Sequence, residues 1–362
     1  MAIRVLIVDD SIMAREILRE IFQETQDFVV IGEATNGQEA ITLVAQHQPD
    51  LITMDLEMPV MDGYEAIYEI MHTKAYPILV VSSVADAKNA YRAISNGAVD
   101  AIGKPGILVS EQEVFIKKAR LVSSIPVIKR IRPSVPLHTR KPQQQVTLNT
   151  SPRSPVALAS TFEKDRIICF ASSTGGPQAL AEILKDITPS FNVPILIAQH
   201  ISDGFAAGMA EWLDGISPLK VKLAQDGETV IANTVYLSPS EKNMTVTREH
   251  RISLLEPTSQ DIYHPSCNRL LESIADVYGG RSIGIILSGM GSDGAAGLKK
   301  ILEHGGITIG QDEESSIIYG MNQVAMNTGA VKIELPLKEI VRAIENEIGF
   351  RLPSCVGASN AN

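Results

Sequence analysis

The sequence predicts an α/β protein made of two doubly wound domains in succession. Three observations carry this. The chain runs to 362 residues, past the size at which a single hydrophobic core keeps growing. Short apolar runs, each followed by a helical pattern, recur in two blocks, residues 1–124 and 163–351. Residues 125–162 between the blocks lose that texture. They carry prolines at 126, 133, 136, 142, 152 and 155, a QQQ tract and several Lys and Arg, with no Asp or Glu up to residue 160. Such a segment buries too little apolar surface to offset its ordering entropy, so it reads as a semi-extended linker.

In the first block the strand candidates are Arg4–Val8, Phe28–Gly32, Asp50–Met54, Pro77–Val81 and Val99–Ile102. Helical patterns lie near 11–24, 37–47, 62–72, 86–95 and 111–123. Parallel strands need crossover helices, so five βα units predict a parallel sheet covered on both faces. In the second block the strand candidates are 166–171, 193–199 and 282–287, with more β-rich stretches at 219–224, 234–237, 244–248, 251–255 and 306–309. These predict a mostly parallel sheet of about seven strands, with residues 352–362 as a frayed tail.

Bulk properties narrow the function. A net charge of −10 argues against nucleic-acid binding, which needs a basic footprint. Three cysteines (Cys169, Cys267, Cys355) without metal-like spacing suit a reducing cytoplasm better than a disulfide scaffold. MAIRVLIVDDS turns acidic at once, unlike a signal peptide, and no run approaches a membrane span. A cytoplasmic protein without membrane insertion is expected.

Chemistry in open α/β sheets collects at the carboxyl ends of the strands. In the first block those ends offer Asp9 and Asp10, Asp55, Ser82 or Ser83, and Lys104. Three carboxylates brought together cannot all stay ionised without a cation, and oxygen ligands suit Mg²⁺. With a lysine and a hydroxyl added, the set can stabilise a phosphoryl group, one carboxylate serving as nucleophile. A lone Asp at a strand end is an ordinary turn former; five such residues at four strand ends are not ordinary.

The segments LIVDD (6–10), MDLEMPVMDG (54–63), VVSS (80–83) and GKP (103–105) resemble the response-regulator receiver domain. The resemblance implies a flavodoxin-like, five-stranded parallel sheet with Asp55 as phosphoacceptor. It places Asp9, Asp10, Asp55 and the carbonyl of Glu57 around Mg²⁺, Ser82 and Lys104 as the phosphoryl-sensing pair, and a histidine kinase as donor. Receivers usually carry an aromatic switch residue three positions before the lysine; here that position is Ala101.

In the second block, strand DRIICFA runs into Ser172-Ser173-Thr174-Gly175-Gly176-Pro177 ahead of a helical pattern, VPILIAQH ends on His200, and SIGIILS leads through GMG to Ser292-Asp293. A serine on a tight strand-to-helix turn lies near backbone N–H groups that can hold an oxyanion. It needs a base to be nucleophilic, and the base needs a carboxylate to fix its tautomer. Asp293 also reads as a plain helix N-cap. Dinucleotide binding and P-loop chemistry lack their glycine patterns.

ASSTGGPQAL (171–180), AQH (198–200), GMGSDGAAG (289–297) and YGMNQVAMNTGAV (319–331) resemble the catalytic domain of the chemotaxis protein-glutamate methylesterases. The resemblance implies Ser173 as nucleophile, His200 as base, Asp293 as its orienter, Met290 at the oxyanion and Thr174 beside the nucleophile. It also implies a doubly wound hydrolytic domain needing no cofactor for hydrolysis, methyl-accepting receptors as substrate, and deamidation of receptor glutamines as a second activity. In the simplest arrangement the receiver packs over the mouth formed by Ser173, His200 and Met290. The family pattern H-R-P-S-V-D-V-L is here Tyr263-His264-Pro265-Ser266-Cys267-Asn268-Arg269-Leu270, and Gln-His-Met-Pro is Gln199-His200-Ile201-Ser202. Both departures are expected at the rim of the site, away from the bond-breaking atoms.

Overall fold

The structure, a computed structural model, describes residues 2–83, 87–106, 108–127, 166–258 and 263–349. Most of the expected linker, the tail 352–362 and Cys355 lie outside the described residues.

The first unit alternates β1 (Ile3–Val8), α1 (Ile12–Gln23), β2 (Phe28–Ala34), α2 (Gly37–His47), β3 (Leu51–Met54), α3 (Gly63–Thr73), β4 (Ile78–Ser82), α4 (Ala87–Asn96), β5 (Asp100–Gly103) and α5 (Val109–Ser123). The helix starts follow local chemistry: Ser11, Asn36 and Asp62 accept from the backbone amides of Ala14, Glu39 and Glu65, each satisfying an orphan donor of the first turn. Every residue of β3 and β4 is buried, as expected for strands covered on both faces. The parallel sheet runs β2-β1-β3-β4-β5. That order sets the ends of β1 and β3 side by side, with Val8 opposite Met54, and Ser82 opposite Gly103 at the ends of β4 and β5.

The second unit contains β6 (Ile167–Ser172), α6 (Gly176–Asp186), β7 (Ile195–Gln199), α7 (Ala206–Asp214), β8 (Lys220–Leu223), β9 (Thr234–Leu237), β10 (Asn243–Val246), β11 (Ile252–Leu255), α8 (Cys267–Tyr278), β12 (Ser282–Ile286), α9 (Ala295–Glu303), β13 (Ile307–Gln311), α10 (Met321–Asn327), β14 (Ile333–Leu335) and α11 (Leu337–Glu347). Seven strands form a parallel sheet in the order β14-β13-β12-β6-β7-β9-β8. The β-rich stretches at 243–246 and 252–255 stand apart as an antiparallel ribbon. β14 has no counterpart among the sequence-predicted strands, because its three residues, IEL, form no apolar run.

The units meet through α4, β5 and α5 of the first and α6 and α7 of the second. Tyr91 stacks on Trp212 with ring centroids 5.7 Å apart. Gln178 Nε2 donates to the carbonyls of Ala98 at 3.0 Å and Ile94 at 3.5 Å. The Lys118 ammonium, 2.6 Å from Asp100 Oδ2, also donates to Thr174 Oγ1 at 3.1 Å. Thus the first unit reaches the residue that follows Ser173.

Candidate functional sites

The sheet order of the first unit brings its predicted cluster together. Carboxylate oxygens of Asp9, Asp10 and Asp55 lie within 4.8 Å of one another. Lys104 Nζ sits 2.8 Å from Asp9 Oδ2 and 3.0 Å from Asp55 Oδ2, while the Leu56 amide donates to Asp55 Oδ1. Burial, and then the charge of Asp9, pushes Asp55 up from 3.8 to about 6 against the pull of Lys104. One lysine does not neutralise three carboxylates, and an all-oxygen donor set fits a hard divalent cation. Ser82 closes β4 with its hydroxyl buried and without a hydrogen-bond partner among the described residues. Its carbonyl accepts from the Lys104 amide at 3.0 Å. Glu57 is exposed two residues after Asp55, and Ala101 is buried in β5.

In the second unit Ser173 follows β6, His200 follows β7 and Asp293 follows β12, three strands adjacent in the sheet. The two serines of the turn differ sharply. The Ser172 hydroxyl is fully buried and donates to Gln199 Oε1 at 2.6 Å. The Ser173 hydroxyl bonds nothing among the described residues. Gln199 also donates from Nε2 to the carbonyls of Ser173 and His200, both at 2.8 Å, so one buried side chain ties the ends of β6 and β7 together. Close approach is enforced on the other flank as well. A Cβ on Gly289 would lie 2.7 Å from Ser173 Cβ, and Gly175, at φ +82°, has Ser288 Oγ where a Cβ would point. The amides of Thr174 and Met290 donate to no group among the described residues, leaving two backbone N–H groups beside Ser173. Thr174 is buried and Met290 is 56% exposed; the first unit reaches the Thr174 side of the expected mouth through Lys118.

His200 Nε2 lies 2.8 Å from Asp293 Oδ2, which assigns the ring proton to Nε2 and leaves Nδ1 as the basic nitrogen. Asp293 does not cap the helix that follows it; Gly294 stands at that position before α9. Its carboxylate instead accepts from the amides of Cys267 at 2.7 Å and Asn268 at 2.9 Å, at the start of α8, and from the Ser266 hydroxyl at 3.2 Å. Burial alone would raise this carboxyl, but the hydrogen bond and charge of His200 and the two amides more than offset it, and the net shift is downward.

The departures at 263–268 therefore do not lie at the rim. Tyr263 stacks on the His200 ring with centroids 4.6 Å apart and planes 7° from parallel. Cys267 Sγ lies 3.6 Å from His200 Nε2, and burial, reinforced by Asp293, pushes its thiol well up. Asn268 Oδ1 accepts from the amides of Gly294 and Gly297, both at 2.9 Å. Sequence reasoning missed these contacts because α8 is distant in the chain and only the fold carries its first turn to β12. Gln199, Ser288 and Gln311 were also missed as scaffolding: the Ser288 amide donates to Gln311 Oε1 at 2.9 Å, and its hydroxyl to the Thr174 carbonyl at 2.8 Å. The available signal was a polar residue closing an otherwise apolar strand.

Comparison with known proteins places both units. Residues 5–112 match the response regulator receiver domain, and residues 168–344 match the CheB methylesterase family. The protein-glutamate methylesterase/protein-glutamine glutaminase 3 of Paramagnetospirillum magneticum is 52% identical over 344 residues, covering 94% of this chain and 95% of the relative. The corresponding protein of Nitrosospira multiformis is 36% identical over 367 residues, covering 98% of this chain and all of the relative. With its receiver unit ahead of its methylesterase unit over nearly the whole length of these relatives, the chain belongs to the protein-glutamate methylesterase/protein-glutamine glutaminase family.

Proposed function

We propose that this chain hydrolyses the γ-methyl esters of glutamate side chains on chemotaxis receptors and deamidates receptor glutamines, under control of phosphorylation at Asp55. The observation that carries the reading is the convergence at three adjacent strand ends. A serine hydroxyl without a partner among the described residues ends one strand, and the next strand ends on a histidine whose Nε2 is held by a buried, ionised aspartate.

In the first step Ser173 Oγ attacks the ester carbonyl and gives its proton to His200 Nδ1. Asp293 keeps the ring in the required tautomer and stabilises the imidazolium. The amides of Thr174 and Met290, unpaired among the described residues, receive the tetrahedral oxyanion, and backbone donors need no reorganisation as charge develops. His200 then protonates the leaving methoxide, methanol departs, and water, deprotonated by His200, cleaves the acyl-serine to free glutamate. Deamidation follows the same path with ammonia leaving. The Ser173–His200 hydrogen bond forms as the substrate seats the serine, a common behaviour of catalytic contacts.

In the receiver, Asp55 accepts the phosphoryl group from a histidine kinase, Lys104 pairs with it, and the Ser82 hydroxyl, unpartnered among the described residues, donates to a phosphoryl oxygen. Mg²⁺ held by Asp9, Asp10, Asp55 and the Glu57 carbonyl would supply the missing positive charge. The Lys118–Thr174 bond and the Tyr91–Trp212 stack support a gate that hinders a helical protein substrate more than a small ester. No helix among the described residues is long and apolar enough to cross a membrane, in keeping with action on receptors from the cytoplasm.

The test is methanol release from a methylated receptor fragment, with and without a small phosphodonor. Release that rises with the phosphodonor in the native chain and stays flat in Asp55→Asn is expected. No release under any condition would make the chain an adaptor.

A further inference from the structure

We propose that the corner formed by His200, Asp293 and Cys267 is also a binding site for a thiophilic divalent cation, Zn²⁺ being the natural fit, and that its occupancy switches the hydrolase off. Binding rests on geometry alone; the inhibitory consequence rests on the esterase reading above.

The donor atoms are already gathered. Cys267 Sγ, His200 Nε2 and a carboxylate oxygen of Asp293 all lie within 4.8 Å of one another. Tetrahedral zinc with bonds of about 2.3 Å to sulfur and about 2.0 Å to nitrogen holds those two atoms about 3.5 Å apart. The observed separation is 3.6 Å. His200 Nε2 and Asp293 Oδ2 stand at 2.8 Å, a hydrogen-bond distance, and must part by about half an ångström to share a metal. The three ligands stand on the end of β7, the first turn of α8 and the turn after β12. These are fixed positions, so the site needs little assembly. One carboxylate and one thiolate balance the two charges of the cation, leaving the filled site neutral in a buried setting. The contrast with the receiver is chemical: Asp9, Asp10 and Asp55 present only oxygen, which suits Mg²⁺, whereas sulfur and imidazole favour zinc. Access is through His200, whose side chain keeps 12% of its surface, past Tyr263, itself 37% exposed.

Binding disables the base without touching Ser173. The cation takes the lone pair at Nε2, so the ring proton that Nε2 shared with Asp293 moves to Nδ1 and the imidazole stays neutral. The thiol proton of Cys267 goes to solvent. With Nδ1 protonated, His200 has no lone pair left for the Ser173 proton. Chelation reverses each change.

The experiment uses the full chain with Mg²⁺ in excess, so that the receiver carboxylates are occupied. Co²⁺ serves as a spectroscopic probe and Zn²⁺ as inhibitor of small-ester hydrolysis, each protein being compared with its own metal-free rate. The native chain should show a thiolate-to-cobalt charge-transfer band and reversible inhibition relieved by a chelator. Cys267→Val should lose the band and need about 10- to 100-fold more Zn²⁺, or greater. His200→Ala, an independent variant that keeps the thiol, should weaken Co²⁺ binding similarly. A native chain without the thiolate band, or Cys267→Val inhibited at the same Zn²⁺ concentration, overturns the proposal. If the metal-free chain hydrolyses nothing, the esterase reading fails, and the cobalt band still decides whether the site exists.

Discussion

Asp55→Asn should stabilise the metal-free receiver at neutral pH. The Asp55 carboxyl rises from 3.8 to about 6 because it is buried beside Asp9. A carboxylate with a raised folded pKa makes the native state hold its proton more tightly than the unfolded chain does. Stability attributable to this group is therefore lost as pH climbs from about 4 to about 6, and the full cost persists above that window. At about 1.4 kcal/mol per unit, a rise of roughly two units corresponds to about 3 kcal/mol. Coupling to Asp9 and Lys104 reduces this to about 1–3 kcal/mol. An isosteric amide removes the buried charge. In chelator at pH 7.5, calorimetry of the full chain should show the receiver transition raised by several degrees in Asp55→Asn. The gain should shrink as pH falls from about 6 to about 4 and vanish near pH 3, where the native carboxyl is neutral in both states. Mg²⁺ should raise the native transition and close the gap, because the carboxylate then has a cation to bind. A variant less stable than the native chain at pH 7.5 in chelator would refute the argument that the cluster is held together against its own repulsion.

Ser173→Ala should lower turnover by roughly 10³-fold or more with little change in urea midpoint. Ser172→Ala, which strands the buried Gln199 Oε1, should instead cost about 1–3 kcal/mol of stability and far less activity; exchanged behaviour would make Ser172 the nucleophile. Asp293→Asn should cost about 10⁴-fold in kcat through the tautomer of His200 and also lower the urea midpoint, since the carboxylate binds the first amides of α8. Trp212, the chain's single tryptophan, is stacked on Tyr91, so phosphorylation that opens the α4–α7 contact should shift its emission to the red; activation with unchanged emission would place the gate elsewhere. Lys118→Ala should raise unphosphorylated activity on receptor protein about fivefold, the equivalent of about 1 kcal/mol of interdomain contact, while small-ester hydrolysis changes less.

Local pattern made much of this molecule readable. The βα periodicity placed the receiver strands and helices within a residue or two of their observed ends, because buried parallel strands are apolar throughout and Ser11, Asn36 and Asp62 announce the helices. The convergence of Ser173, His200 and Asp293 was legible because polar groups in such sheets collect at strand ends, and those ends can be read from the chain. The roles of Tyr263, Cys267 and Gln199 were not legible, since each depends on a partner brought close only by strand order or by the docking of α8.

The sequence by itself determined the two doubly wound units, the proline-rich break between them, and the side chains available at each strand end, because these follow from short-range periodicity and composition. The tertiary structure decided which serine keeps a hydroxyl unpaired among the described residues, which nitrogen of His200 faces Asp293, and which helix start keeps Asp293 charged. It also placed a thiol beside His200 and a receiver lysine on Thr174. Each of these depends on distances between segments far apart in the chain, and such distances exist only once the sheet order and the packing of α4, α5 and α8 have fixed them.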